Sequence, residues 1–205
     1  MARKTKAEAE ETREKIMAAA ELLFFEHGVT RTSLEQIAEE AGVTRGAIYW
    51  HFVNKVDLFR AMIESIRLPQ EQMVEQAIAG GHADPLGLIQ RVALDCLRTM
   101  AEDQRRQRVY AILLFRCEYV GEMAEALKRQ QDADAVMRSN LLSLFAMAHE
   151  NGSLDRNWTP AIAARVFESM IRGIWVEWLR YEQGFDLVKL GSQSIGELFE
   201  SFRAK

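Results

Sequence analysis

The chain has 205 residues, 48% of them hydrophobic, with three prolines, two cysteines and a formal net charge of −4. That is enough apolar material for a core, in a small head with a larger body rather than two large domains. No run of 18 apolar residues and no apolar segment of signal-peptide type occurs, which predicts a soluble, cytoplasmic protein without a membrane partner. β-Branched runs of period two are absent and helical spacing recurs, so the predicted fold class is all-α. A first helix is expected from about Ala7 to His27, burying Ile16, Ala20, Leu23 and Phe24 and stopped by Gly28.

Thr32 to Lys55 reads as two short helices broken by Ala41-Gly42-Val43. Ser33 or Thr32 can cap the first, with Gln36 or Glu35 completing a capping box. Leu34, Ile37, Ala38 and Ala41 give it one apolar face. Gly42 ends it, since a left-handed residue costs glycine little. Thr44 can cap the second helix, which buries Ile48 and Phe52 one turn apart, and small Ala38 lets the two helices approach. This is the pattern of a helix-turn-helix.

The other face of the second helix carries Gly46 and Trp50, with Tyr49 beside them. A large aromatic facing solvent on a two-turn helix needs a partner, and a major groove admits such a helix. Arg45 stands at the helix start, where base edges are contacted. Gly46 has no side chain to hold the backbone off the sugar-phosphate. His51 and Lys55 can reach flanking phosphates, as can the caps Ser33 and Thr44 besides starting their helices. The alternative is a plain helical hairpin whose Tyr49 and Trp50 cover another domain's surface.

Charge opposes this reading mildly. Residues 1–55 hold eight Lys and Arg against nine Asp and Glu, so the supposed head is net −1. Attraction to phosphate is screened over roughly 8 Å, so local distribution decides. Arg3, Lys4 and Lys6 precede any acid and can reach phosphates near the recognition helix. The glutamates between Glu8 and Glu40 are expected on outer helix faces. A specific binder with modest non-specific affinity follows.

A fourth helix, capped by Asn54, carries Leu58, Phe59, Met62, Ile63 and Ile66 and ends before Pro69. That stripe is too wide for the head alone, which predicts a link from head to body. Further helices are expected at about Glu71–Ile78, Asp84–Met100, Gln104–Cys117, Met123–Asn151, Thr159–Gln183 and Asp186–Phe202. Gly80-Gly81-His82-Ala83 forms a loop, and Gly184 separates the last two helices. Ile195, Leu198, Phe199 and Phe202 recur at i, i+3, i+4 and i+7 in the last helix. Val166, Met170, Gly173 and Ile174 offer a second stripe in the one before. Paired with symmetry mates they would make a four-helix homodimer interface. The competing reading is that both stripes close the protomer's own core.

Neither a GxSxG, a Walker loop, a Rossmann glycine run nor an HExxH occurs, so no enzyme is expected. His27, His51, His82 and His149 lack metal-ligand spacing, and neither a metal nor a cofactor is expected. Cys96 and Cys117 are most simply reduced core thiols, a redox switch being the lesser alternative. A purely structural helical adaptor would explain the body while leaving Trp50 unused.

The run AGVTRGAIYWHFVNK also resembles the signature of TetR-type transcriptional regulators, A-G-V-[ST]-x-G-x-[apolar]-Y-x-H-F-x-x-K, at every fixed position. ARKTKAEAEETREKI at the start, DPLG at Asp84 to Gly87, and Cys117-Glu118 are similar to its AcrR/TtgR-type multidrug-efflux repressor branch. The resemblance implies a homodimer with a DNA-binding head, residues 1–55, and a ligand-binding and dimerisation body, residues 56–205. It implies a repressor on an inverted-repeat operator, released by a small hydrophobic or amphipathic inducer and controlling an efflux pump operon. A metabolic or catabolic operon with another inducer is the runner-up.

Helical phase, together with where related regulators hold ligands, selects Ile66, Ile89, Val92, Cys96, Tyr110, Met137, Leu141, Ile171 and Trp175 as pocket candidates. Thioethers adapt and rings supply flat apolar area, although for any one of these residues a plain core role is the better reading. Glu168 places one carboxylate on an apolar stripe with Ala164, Ile171 and Trp175. It either pairs with Arg165 or Arg172, is buried and protonated, or meets a cationic ligand.

Overall fold

The computed structural model describes residues 6–66 and 70–204, without the side chains of 70–73 and 75. Among the described residues there are ten α-helices and no strand: α1 (Lys6–His27), α2 (Leu34–Glu40), α3 (Arg45–His51), α4 (Lys55–Glu64), α5 (Gln70–Gly80), α6 (Pro85–Glu102), α7 (Gln104–Ala111), α8 (Ala124–Glu150), α9 (Pro160–Arg180) and α10 (Leu187–Phe202). No described helix is long and apolar enough to cross a membrane. The chain forms two compact units, Met1–Arg67 with Arg105–Gln130, and Leu68–Gln104 with Gln131–Lys205. This division by packing differs from a functional boundary at Lys55.

The first unit is built on α1. Ile16, Met17, Ala20 and Phe24 are buried, and Phe24 meets Phe59 of α4 edge-on at 6.2 Å. Gly28 ends α1 at φ +84°, and an added Cβ would stand 3.3 Å from the Arg116 carbonyl. That carbonyl accepts from Val29 N–H at 2.9 Å, so the turn after α1 is stitched to a much later segment. Val109, Ile112, Leu113, Met123 and Ala126 share one core with Ile16, Phe24, Ile37, Ile48 and Phe59.

The width of the α4 stripe has its reason in that core. Val56, Leu58, Phe59, Ala61, Met62 and Ile66 are buried within the same unit, together with the 109–126 segment. Helix α4 stops at Glu64, earlier than expected. Helix α7 also departs from expectation, giving way after Ala111 to a π-turn at Ile112–Arg116. Carbonyls there find partners outside the helix, since Tyr119 Oη donates to Leu113 O at 2.8 Å and Val29 N to Arg116 O.

Glu21 was expected on an outer face and is 5% exposed. Its two oxygens accept from Arg105 Nε and Arg108 Nε, each at 3.0 Å, so a buried carboxylate keys α7 onto α1. Pairing offsets the desolvation that would otherwise keep it outside.

In the second unit α10 packs on α6 and α9. A Cβ on Gly191 would lie 2.5 Å from Leu97 Cδ1, so the glycine sets the close approach of α10 to α6. Phe199 and Phe202 join Phe145, Phe167 and Trp158 in a cluster of edge-on and tilted ring contacts, with centroids 4.9–6.4 Å apart. The chain end is fastened by Asp155 N to Phe202 O at 2.7 Å and Trp158 Nε1 to Ser201 O at 2.9 Å.

This corrects the proposed interface stripe of α10. Ile195, Phe199 and Phe202 are each fully buried in the protomer, and only Leu198 of the four is partly accessible. Core and interface share the same spacing, and here the core takes three of the four positions. On α9, Gly173 is exposed, whereas Val166, Met170 and Ile174 are half-buried. Gly184 lies between α9 and α10 as expected, and the left-handed turn there is made by Glu182 and Gln183, at φ 49° and 64°.

Candidate nucleic-acid interface

The helix-turn-helix is fixed locally, by side chains close in sequence. Ser33 Oγ accepts from Gln36 N at 3.2 Å, and Gln36 Oε1 accepts from Ser33 N at 2.8 Å, which completes the capping box. The turn is closed by Val43 N to Ala38 O at 2.9 Å, with Gly42 at φ 64°. Thr44 Oγ1 then accepts from Ala47 N at 3.2 Å and starts α3. Ile48 and Phe52 are buried beneath it, Phe52 under the Arg13 guanidinium at 5.3 Å.

With that face anchored, the opposite one stands in solvent. Trp50 is 71% exposed, Tyr49 is exposed beside it, and Gly46 is bare. Val53 is 78% exposed just past the helix; sequence reasoning passed over it because it follows the periodic segment. Trp50 rests edge-on against His51 with centroids 4.5 Å apart. Arg45 Nη1 pairs with Glu35 of α2 at 2.8 Å, and Nη2 donates to Tyr49 Oη at 3.3 Å. The guanidinium lies 5.5 Å from the Tyr49 ring centroid. The Tyr49 hydrogen bond, and after it the Glu35 charge, raise the Arg45 pKa above its ordinary value.

Lys55 departs most from expectation. Its ammonium donates to Thr32 O at 3.2 Å and pairs with Glu122 at 3.0 Å, leaving the side chain 11% exposed. A cation placed for phosphate by spacing is held inward by a carboxylate 67 residues later. Lys6 is exposed at the start of α1, and Lys4 lies outside the described residues.

The ligand candidates divide between the units. Ile66 and Tyr110 belong to the first; Ile89, Val92, Cys96, Met137, Leu141, Glu168, Ile171 and Trp175 to the second. Ile89 is buried and Met137 exposed, while Val92, Cys96, Leu141, Ile171 and Trp175 are intermediate. Two clefts of the first unit, of about 510 and 470 Å³, are lined largely by charged and polar residues and by none of these ten.

Glu168 takes the ion-pair alternative, with a partner that sequence reasoning missed. Arg138 of α8 meets it through two hydrogen bonds of 3.0 and 3.1 Å. Arg165 and Arg172 stand at 3.4 Å, and Arg172 also pairs with Asp134 at 3.1 Å. Three guanidinium groups against two carboxylates leave no unmet negative charge for a cationic ligand. The Arg138 hydrogen bond holds the Glu168 carboxyl below its ordinary value; burial opposes this, and the charges of Arg138, Arg172 and Arg165 add to it. Burial pushes the Cys117 thiol up to about 11, which suits an inert thiol better than a redox sensor.

A helix-turn-helix with an aromatic and cationic face, joined to a second helical unit, defines the class of one-component DNA-binding regulators. The family described as bacterial regulatory proteins, tetR family, matches residues 16–62. The C-terminal region of MAATS-type transcriptional repressors matches residues 84–203. The chain therefore belongs to the TetR family of transcriptional regulators. It is similar to the HTH-type transcriptional repressor BepR of Brucella suis, 44% identical over 98% of this chain and 97% of BepR. Its fold is similar to NalD, the secondary repressor of the MexAB-OprM multidrug efflux pump in Pseudomonas aeruginosa. That match has TM-score 0.85 and 37% identity, over 95% of this chain and 98% of NalD. SmeT of Stenotrophomonas maltophilia in complex with triclosan has TM-score 0.84 at 29% identity, over 95% and 93% of the two chains.

Proposed function

We propose that this chain is a ligand-responsive repressor of a multidrug efflux operon, acting as a cytoplasmic homodimer on an inverted-repeat operator. The observation that carries it is the face of α3, where Arg45, Tyr49 and Trp50 stand in solvent on an anchored helix. Efflux control is supported by the named roles of NalD and SmeT, and a hydrophobic inducer by the triclosan complex of SmeT. Residues 1–55 hold the operator contacts: Arg45, Gly46, Tyr49, Trp50 and His51 at the groove, with Ser33, Thr44, Lys4 and Lys6 at phosphates. Lys55 joins them only by leaving Glu122. Residues 56–205 bind inducer and dimerise, chiefly through the accessible α9 positions Val166, Met170, Gly173 and Ile174. A two-fold dimer matches the symmetry of an inverted repeat.

Release requires that inducer prefer a conformation spacing the two heads wrongly, since a ligand binding both states equally shifts nothing. No step in this cycle calls for a catalytic group. The test is retardation of DNA from upstream of this chain's own gene, followed by release with hydrophobic antimicrobials. Unchanged operator affinity in a folded Arg45→Ala, Trp50→Ala double mutant would sink the assignment of this face.

A further inference from the structure

We propose that Glu35 is a positioning residue for base reading, clamping the Arg45 guanidinium so that it discriminates at one base pair in each half-site. The proposal rests on the reading that α3 enters the major groove.

Arg45 belongs to α3 and Glu35 to α2, and their side chains meet across the turn at 2.8 Å. The carboxylate sits in the first turn of α2, which the Ser33–Gln36 capping box holds in place. On the other side, Tyr49 Oη accepts from Nη2 at 3.3 Å and its ring lies 5.5 Å from the guanidinium. Arginine has five N–H donors in a planar fork. Glu35 and Tyr49 take two, and guanine O6 and N7 accept two. The partners therefore set the plane of the fork without exhausting it.

An unheld arginine has many rotamers and can equally seek a phosphate, which carries no sequence information. Glu35 disfavours that alternative, because its own charge repels phosphate and holds the guanidinium by its first helical turn. In free protein the pair is exposed at both ends, 61% and 53%, and adds little to folding. Its effect appears on DNA, where water leaves and charge-assisted contacts strengthen.

The experiment measures affinities of wild type, Arg45→Ala, Glu35→Gln and Tyr49→Phe for the operator and for operators carrying each base at each half-site position. Glu35→Gln keeps side-chain size and leaves the capping box intact, so folding is preserved and is checked by circular dichroism. The expected result is that Arg45→Ala flattens preference at one position. Glu35→Gln then lowers discrimination there by on the order of fivefold, leaving other positions unchanged. Tyr49→Phe, which removes one of the two clamps, gives a smaller loss at the same position. Uniformly tighter binding by Glu35→Gln, with discrimination intact, would show that the carboxylate merely repels DNA. Equal loss at all positions would show a role in holding α2, and would also overturn the proposal. Arg45→Ala flattening one position while Glu35→Gln leaves it sharp defeats the proposal and spares the α3 reading. Arg45→Ala flattening none defeats both.

Discussion

Glu168→Gln removes a charge and keeps the shape of the side chain, so its cost reports the ion cluster between α8 and α9. The Glu168 side chain is 12% exposed, and Arg138, Arg165 and Arg172 are 41%, 59% and 54% exposed. A hydrogen bond to a charged group contributes about 1.5–3 kcal/mol, an exposed ion pair only about 0.2–1 kcal/mol. With one partner largely buried and the others screened by water, the bidentate Arg138 contact falls between these limits. The 3.4 Å contacts lie at the lower end. Glutamine retains one acceptor, so the net loss is about 1–2 kcal/mol, or roughly 2–8 °C in Tm for a chain of this length.

The carboxyl is held below its ordinary value, Arg138 being the largest cause. A depressed folded pKa contributes stability that is complete above the unfolded value, about 4.3, and is lost as pH falls through the folded one. Urea unfolding followed by circular dichroism at pH 7, 5 and 3.5 should therefore show a gap between wild type and Glu168→Gln that narrows only below about pH 4. Equal midpoints at pH 7, or a gap that persists unchanged in acid, would refute the reasoning.

The same cluster predicts that bulky aromatic cations and neutral analogues of equal size release the operator alike. A cation preference erased by Glu168→Gln in a release assay would restore its ligand role. Phe199→Ala, in the aromatic core, should destabilise the protomer by about 3–5 kcal/mol. Gly173→Arg should instead split the dimer in sedimentation experiments while leaving the helix content in circular dichroism near wild type; a persisting dimer would move the interface off α9. Glu122→Gln frees Lys55 and should tighten operator binding a few-fold, steepening the salt dependence by about one unit. Fluorescence anisotropy across a salt series checks this, and an unchanged slope would mean that Lys55 stays inward.

The helix-turn-helix was legible because its determinants are local. Ser33, Gln36, Gly42, Thr44, Ile48 and Phe52 act within one or two turns of themselves, and each does what its spacing implies. The errors share another cause: periodicity tells which face is covered, not what covers it. Ile195, Phe199 and Phe202 read equally well as interface and as core, and the choice was made by Phe145, Phe167 and Trp158. Glu168 was seen as anomalous, but Arg138, 30 residues away, carries no signal of the pairing. Glu21 looked like one more surface glutamate because the arginines that bury it lie on α7, 84 residues on in the case of Arg105.

The sharing of one core by α1–α4 and the 109–126 segment bears on how the protein is made. As the chain leaves the ribosome, the helix-turn-helix emerges early, yet the last apolar side chains of its core, Met123 and Ala126, are about 60 residues behind Ile66. At about 5–20 residues per second, that is a wait of roughly 3–12 s. During it the shared core is unfinished, and the nascent head exposes apolar surface of the kind chaperones bind. A hybrid regulator made by grafting only the first 62 residues onto another body would have to find that cover in its new body.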